Sequence, residues 1–91
     1  MSGRRARVLR LRCECGRNVA DVVAGTGESV EVRHRAQLLS LPNAPSYAWR
    51  CRCVTERGRP REHRVRRARL VSAYAAVSRG RVEYRTLGVD L

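Results

Sequence analysis

The chain has 91 residues, enough for one small domain, and its 43% hydrophobic content excludes a disordered tail. Its 20 arginines outnumber its 8 acidic residues, and the formal net charge of +12 makes polyanions or an acidic protein the expected partners. No run approaches the roughly 18 apolar residues of a membrane span, and the first residues lack the apolar segment of a signal peptide. We therefore expect a cytoplasmic protein with no membrane partner and with reduced thiols.

Lysine, isoleucine and phenylalanine are absent from the chain. Their codons are AT-rich, so their absence indicates a very GC-rich genome, such as that of an actinobacterium or its phage. Codon supply explains why the cations are arginines. It does not explain why the acids are so few, so the charge imbalance is still an indication of function.

The first third of the chain predicts a β-hairpin. Residues 1–7 are expected to be a flexible basic arm, 8–12 a strand, and 18–23 its returning partner. The segment Cys13-Glu14-Cys15 lies between the two strands, and Gly16 after it suits a tight turn with a positive φ. The first cysteine pair is therefore predicted at the tip of the hairpin.

The middle of the chain predicts turns and short strands. Residues 25–28 read as a turn, and 30–35 alternate with the period of a half-buried strand. Residues 37–41 are mostly apolar and either extend that strand or begin a loop. A loop is expected at 42–46, followed by a strand at 47–50 that leads into the second cysteine pair.

The last third predicts a second hairpin arm, a helix and an edge strand. Residues 55–60 read as a polar turn and 62–66 as a strand. The apolar spacing favours a helix over 67–79, with Gly80 as its C-terminal cap. Residues 81–87 alternate again and are expected to close the domain as an edge strand.

Two cysteine pairs predict a metal site. The pairs consist of Cys13, Cys15, Cys51 and Cys53. Four thiolates can hold Zn²⁺ in a tetrahedral site, with sulfur atoms about 3.8 Å apart. Each pair has one residue between its cysteines, and residues i and i+2 of an ideal strand lie about 7 Å apart, so the backbone must bend at Glu14 and Arg52.

Other uses of the cysteines stay open at this point. His34 or His63 could replace one cysteine in a mixed site, although neither has ligand spacing to a cysteine pair. The cysteines could also form disulfides between the two arms or act in redox chemistry. We expect no enzyme, because no catalytic motif is present and four cysteine ligands leave a metal no open position.

Segments 11–23 and 49–65 resemble small zinc-ribbon proteins. In outline the chain is similar to the phage Com-type zinc-finger regulators, which bind messenger RNA. Two stretches carry the resemblance: Arg12-Cys13-Glu14-Cys15-Gly16-Arg17-Asn18 and Arg50-Cys51-Arg52-Cys53. It implies a zinc ribbon with two β-hairpin knuckles. Together with the C-terminal helix and edge strand predicted from the residue pattern, we expect an α+β zinc-ribbon domain over residues 8–91. The resemblance also implies nucleic-acid binding or protein docking rather than catalysis.

Arginines between 57 and 69 predict a phosphate-binding surface, because Glu62 is the only acid among them. We define the basic strip as Arg57, Arg59, Arg61, Arg64, Arg66, Arg67 and Arg69, which Arg4 and Arg5 of the arm could extend. Alternatives are a solvated surface or an acidic protein partner. Arginines beside the knuckles could instead offset the negative metal–thiolate charge: Arg10, Arg12, Arg17, Arg50 and Arg52.

Two functions follow from these patterns. The first is a zinc-binding regulator that contacts RNA or DNA through the phosphate backbone, with Tyr47 and Trp49 either stacking on bases or packing beside the metal. The second is a protein-interaction or structural module, such as a phage-encoded binder of a host protein or a virion component. That module would dock through a helix face around Leu70, Tyr74 and Val77, or through the edge strand.

Overall fold

Seven strands and one short helix make up most of the computed structural model, which describes residues 6–26 and 29–91. The elements are β1 Val8–Arg12, β2 Asn18–Gly25, β3 Val30–His34, β4 Gln37–Leu41, β5 Ser46–Val54, β6 Pro60–Arg66, α1 Arg67–Ala75 and β7 Val82–Thr86. The chain is therefore a small mixed α+β fold, as its sequence patterns predict. Within the described ranges, no helix has the length and apolar character needed to cross a bilayer.

A five-stranded sheet in the order β4-β3-β2-β1-β7 forms the larger layer. Its strands are antiparallel except that β7 runs parallel to β1, and β7 lies at an edge as predicted. Leu9 pairs with Val22, and Val22 with Val32, so these three side chains share one face. All three are fully buried because alternate residues of a strand point to the same side.

A two-stranded sheet of β5 and β6, together with α1, covers this apolar face. Tyr47 of β5 and Val65 of β6 are opposite each other and both are buried. Leu70 is the buried residue of α1, and the hydroxyl of Tyr74 donates a hydrogen bond to the carbonyl oxygen of Val23 at 2.7 Å. The core therefore lies between the two sheets, with the helix closing one end.

Residues 37–41 neither extend the preceding strand nor begin a loop, so that prediction was wrong. They form β4, which folds back on β3 with His34 opposite Gln37. The two residues between them, Arg35 and Ala36, have φ values of +49° and +64°. Such hairpin turns usually contain Asn or Gly, and this one carries neither, so the sequence showed no turn signal.

The helix is shorter than predicted, because α1 ends at Ala75 instead of Arg79. Its C-terminal cap is Ala76, and Gly80 lies beyond it in the turn before β7, with a φ of +74°. After the cap the chain makes a tighter turn, in which the backbone N–H of Val77 donates to the carbonyl oxygen of Tyr74 at 3.1 Å, and Val77 is 2% exposed. The predicted cap at Gly80 was therefore wrong.

The first turn of α1 contains no acidic residue, and Arg66 at its N-cap makes no side-chain capping bond. Arginines there face the positive end of the helix dipole, which is unfavourable. One free donor of the turn is satisfied instead by tertiary structure, since the backbone N–H of Arg67 donates to the carbonyl oxygen of Pro45 at 3.0 Å. The start of the helix is thus held by the loop before β5.

Two predicted segments fall partly outside the described residues. Most of the basic arm at 1–7 lies there, but Arg7 Nη1 donates a hydrogen bond to the carbonyl oxygen of Ala75 at 3.1 Å. The turn expected at 25–28 includes residues 27 and 28, which also lie outside the description. Arg7 is therefore attached to the end of α1.

Candidate metal centre

The first cysteine pair lies at the tip of the β1–β2 hairpin, as predicted. The backbone N–H of Cys13 donates to the carbonyl oxygen of Arg17, and that of Gly16 donates to the carbonyl oxygen of Cys13, both at 2.9 Å. Gly16 has a φ of +91°, which glycine adopts without strain. The chain thus bends at Glu14, and both sulfur atoms lie on the side of the β5–β6 sheet.

The second pair lies within a strand, before the hairpin turn at 55–59. Cys51 is opposite Arg61, but the next paired residue is Val54, opposite Pro60. The intervening residues form an irregularity in β5, and such bulges bend a strand and redirect its side chains. This irregularity provides the bend that the spacing required at Arg52, and the backbone N–H of Cys53 donates to Cys51 Sγ at 3.5 Å.

The four sulfur atoms form one cluster, with every Sγ within 4.8 Å of the others. Cys13 Sγ lies 3.5 Å from Cys53 Sγ, and Cys15 Sγ lies 3.5 Å from Cys51 Sγ. These separations are close to the roughly 3.8 Å edge of a tetrahedral zinc–thiolate site and far longer than a disulfide bond. The cluster joins the two sheets and could hold one metal ion.

The four thiols differ in acidity. Burial is the main cause that raises the pKa of Cys13 to about 12, and it also raises the pKa of Cys51. Cys15 is exposed, and a hydrogen bond from the backbone N–H of Arg17 is the main cause that lowers its pKa to about 7. A metal ion that binds the buried thiolates must therefore displace their protons, which makes its affinity depend on pH.

We expect Cys15 to be the first cysteine alkylated by iodoacetamide in the reduced, metal-free protein. Its rate should rise as pH passes through about 7, because the thiolate is the reactive form. Peptide mass spectrometry after short exposures at several pH values measures the order. Metal-loaded protein is the control, since bound thiolates should be protected. Labelling of Cys13 as fast as Cys15 would contradict the prediction.

Two residues of β6 lie against the cluster: His63, which the sequence suggested only as a possible replacement for a cysteine, and Arg61, which it assigned to the basic strip. His63 is buried, and its Nε2 is 3.2 Å from Cys13 Sγ, so it contacts a sulfur without replacing one. Arg61 pairs with Glu14 at 3.4 Å, and a hydrogen bond to Cys53 is the main cause that raises the Arg61 pKa. Side chains alternate along β6, so Arg61 and His63 lie on the same face of the strand that pairs with Cys51. This alternation is the sequence signal that could have located both residues.

The loop after β7 closes this side of the cluster. A side chain at Gly88, whose φ is +83°, would place its Cβ 2.9 Å from Glu14 Oε1 and 3.6 Å from His63 Nδ1. Leu87 beside it is fully buried. The other histidine, His34, has its Nδ1 2.9 Å from the carbonyl oxygen of Val19.

The basic strip does not lie on one face. Arg64 and Arg66 are on the outer face of β6, while Arg61 points toward the cysteines. Arg67 Nη2 donates to the carbonyl oxygen of Thr26 at 3.0 Å. The other members are exposed: Arg57 and Arg59 in the β5–β6 turn and Arg69 on α1. The two arm residues, Arg4 and Arg5, lie outside the described part of the chain.

Several of the arginines that flank the cysteine pairs contact a carboxylate or an aromatic ring. Arg10 forms an ion pair with Asp21 at 2.9 Å, and the Arg12 guanidinium lies 3.9 Å from the centre of the Tyr84 ring. Arg50 pairs with Glu62 at 3.4 Å. Arg61, a member of the strip, instead lies beside the cluster and pairs with Glu14 of the first cysteine pair.

Tyr47 and Trp49, the candidates for base stacking, pack beside each other with ring centres 6.1 Å apart. Tyr47 is buried, and its hydroxyl donates to the carbonyl oxygen of Pro42 at 2.6 Å, while Trp49 is half-buried. Both therefore serve packing near the cluster. Tyr84 on β7, which was not considered for stacking, is 45% exposed.

Fold and site together define a small α+β protein with a four-cysteine cluster that could bind a metal ion. Comparison of the chain with protein-family models, with curated proteins and with solved structures finds no match.

Proposed function

We propose that the protein is a zinc-ribbon module that binds nucleic acid through the phosphate backbone and acts as a regulator. One observation supports the proposal most directly: few of the arginines around the cysteine cluster are neutralised by carboxylates. Among the described residues, four ion pairs join arginines to carboxylates, in a chain whose net charge is +12. Guanidinium groups match phosphate geometry, and sequence-independent binding depends on such contacts.

Zinc has a structural role in this proposal. Four thiolates with tetrahedral spacing suit Zn²⁺, and a closed coordination shell leaves no position for a substrate. The four-thiolate site carries about −2, which lowers the effective charge of the protein to roughly +10 and keeps it strongly basic. The metal would hold the β5–β6 sheet against the five-stranded sheet and so fix the arginines on both.

The test is the binding of labelled RNA and DNA oligonucleotides to the zinc-loaded protein on filters. If about five phosphates are contacted, affinity should fall at least about 100-fold between about 50 and 200 mM salt. Polyglutamate is the control competitor. If the basic surface serves an acidic protein partner, polyglutamate should displace the bound oligonucleotide. The absence of any retention at the lowest salt concentration rejects nucleic-acid binding.

A protein-interaction module is the second candidate, and the exposed edges of the five-stranded sheet favour it. Leu38 on β4 is 63% exposed, and Val82 on β7 is 46% exposed. The helix face predicted for docking is not available, since Leu70 and Val77 are buried in the core of the chain itself. A pull-down after nuclease treatment separates the candidates: a stoichiometric partner that survives nuclease favours protein binding.

A further inference from the structure

A cleft of about 250 Å³ opens between the two sheets, next to the cysteine cluster. Cys51 forms part of its wall, and none of the carboxylates among residues 6–26 and 29–91 lines it. Its polar lining includes Asn18, His34 and five arginines: Arg17, Arg33, Arg35, Arg50 and Arg52. The cleft is largely distinct from the basic strip, because none of the seven strip residues lines it.

Three separate features of the fold bring these arginines together. Arg17 closes the cysteine hairpin through its backbone bond to Cys13, and Arg52 lies in the irregularity of β5. Arg33 lies near the end of β3. Arg35 follows in the β3–β4 turn and has a φ of +49°. None of these positions is close in sequence to all the others, so the cluster of charge exists only in the folded chain.

The five arginines that line one cleft concentrate positive charge there, and an anion bound in the cleft would reduce their mutual repulsion. Two carboxylates at the margin reduce this repulsion only in part. Glu62 pairs with Arg50 at 3.4 Å and is half-exposed, and Asp21 is already bonded to Arg10 and Asn18. Arginine forks bind phosphate oxygens in pairs, so a phosphate group is the anion that best fits the donors present.

The geometry points to this cleft as the site that holds the phosphates of a bound nucleic-acid strand, with Arg17, Arg35 and Arg52 as the principal contacts. This inference rests on the proposed function and names the surface that performs it. It also predicts that metal binding at the cysteines affects the affinity for the nucleic-acid strand. Arg17 and Arg52 are held by the two cysteine arms, so a metal ion that joins those arms sets the width of the cleft.

The test compares two variants that each lose three positive charges from exposed positions. The cleft variant is R17Q/R35Q/R52Q, and the matched strip variant is R57Q/R59Q/R64Q. Fluorescence anisotropy measures binding of the zinc-loaded proteins to a single-stranded oligonucleotide of about 12 nucleotides and to its duplex. Circular dichroism and metal content check that both variants keep the fold.

The cleft variant should lose about 100-fold in affinity for a single strand at about 0.1 M salt, and its salt slope should fall by about 2, since each lost phosphate contact removes about 0.7. The strip variant should change far less, because none of its three arginines lines the cleft and exposed charges are screened by salt. Equal losses in the two variants, or a larger loss in the strip variant, overturn the inference. Comparing the single strand with the duplex shows which form supplies the phosphates.

A second measurement separates failure of the cleft from failure of the proposed function. Pyrophosphate added to the ¹⁵N-labelled wild-type protein should shift the backbone amide signals of Asn18 and His34, and the cleft variant should show no such shifts. If the wild type binds no oligonucleotide, the proposed nucleic-acid binding is rejected. Shifts of these two amide signals would then still support a phosphate site in the cleft. The absence of shifts at both residues rejects the cleft.

Discussion

Replacing Cys13 with serine is expected to remove the metal and detach the β5–β6 sheet. Cys13 is 1% exposed, and its sulfur is 3.5 Å from that of Cys53, so the variant loses a central ligand. Structural zinc contributes about 10–16 kcal/mol in zinc-finger peptides, comparable to or larger than the whole stability of a small domain, about 5–15 kcal/mol. Native mass spectrometry measures the metal content. Amide exchange should show that β5 and β6 lose protection first, because isolated two-stranded sheets are marginal.

His63→Gln is the control for this experiment. It keeps all four sulfurs but removes the ring nitrogen 3.2 Å from Cys13 Sγ. Loss of such an outer contact typically costs about 10–100-fold in metal affinity, so the variant should still bind one ion. Cobalt substitution gives a second readout, because thiolate-to-cobalt charge-transfer absorption reports sulfur ligation directly. Cys13→Ser protein that keeps one tightly bound ion and an unchanged melting temperature would falsify the four-cysteine site.

Leu70→Ala should be the most damaging single change outside the cysteines. Leu70 is fully buried and is the buried residue of α1, so its removal leaves a cavity between the helix and the sheets. Large-to-small changes of this kind cost about 2–5 kcal/mol. Urea unfolding of the zinc-loaded protein, at fixed metal concentration, measures the loss.

Ser72→Ala is the matched helix variant, because Ser72 is exposed on the same element. Substitutions at such positions usually change stability by less than about 0.5 kcal/mol. A Leu70→Ala protein as stable as Ser72→Ala would show that α1 does not close the core.

Local signals in the sequence were sufficient for the first hairpin, the helix start and the edge strand. Gly16 followed a cysteine pair between two alternating segments, and the structure has β1, β2 and the pair where expected. The four cysteines could be grouped from their spacing alone, because two closely spaced pairs of thiols suit one shared metal site. Such features depend on neighbours within a few residues, which is why a single sequence reveals them.

Other features depend on contacts between distant segments. The β3–β4 turn at Arg35 and Ala36 is held in a left-handed conformation by strand pairing, without the usual turn residues. The parallel pairing of β7 with β1 joins the two ends of the chain, and no local pattern specifies it. The irregularity that redirects Cys53 appears only once β5 is aligned with β6.

By itself, the sequence determined the charge of the protein, the four thiols that could hold a metal ion and the positions of most strands, because composition and period are local properties. Tertiary structure decided which cations face the same space. It placed His63 and Arg61 against the cysteines and gathered arginines from three elements into one cleft, since only the packing of one sheet on the other defines those distances.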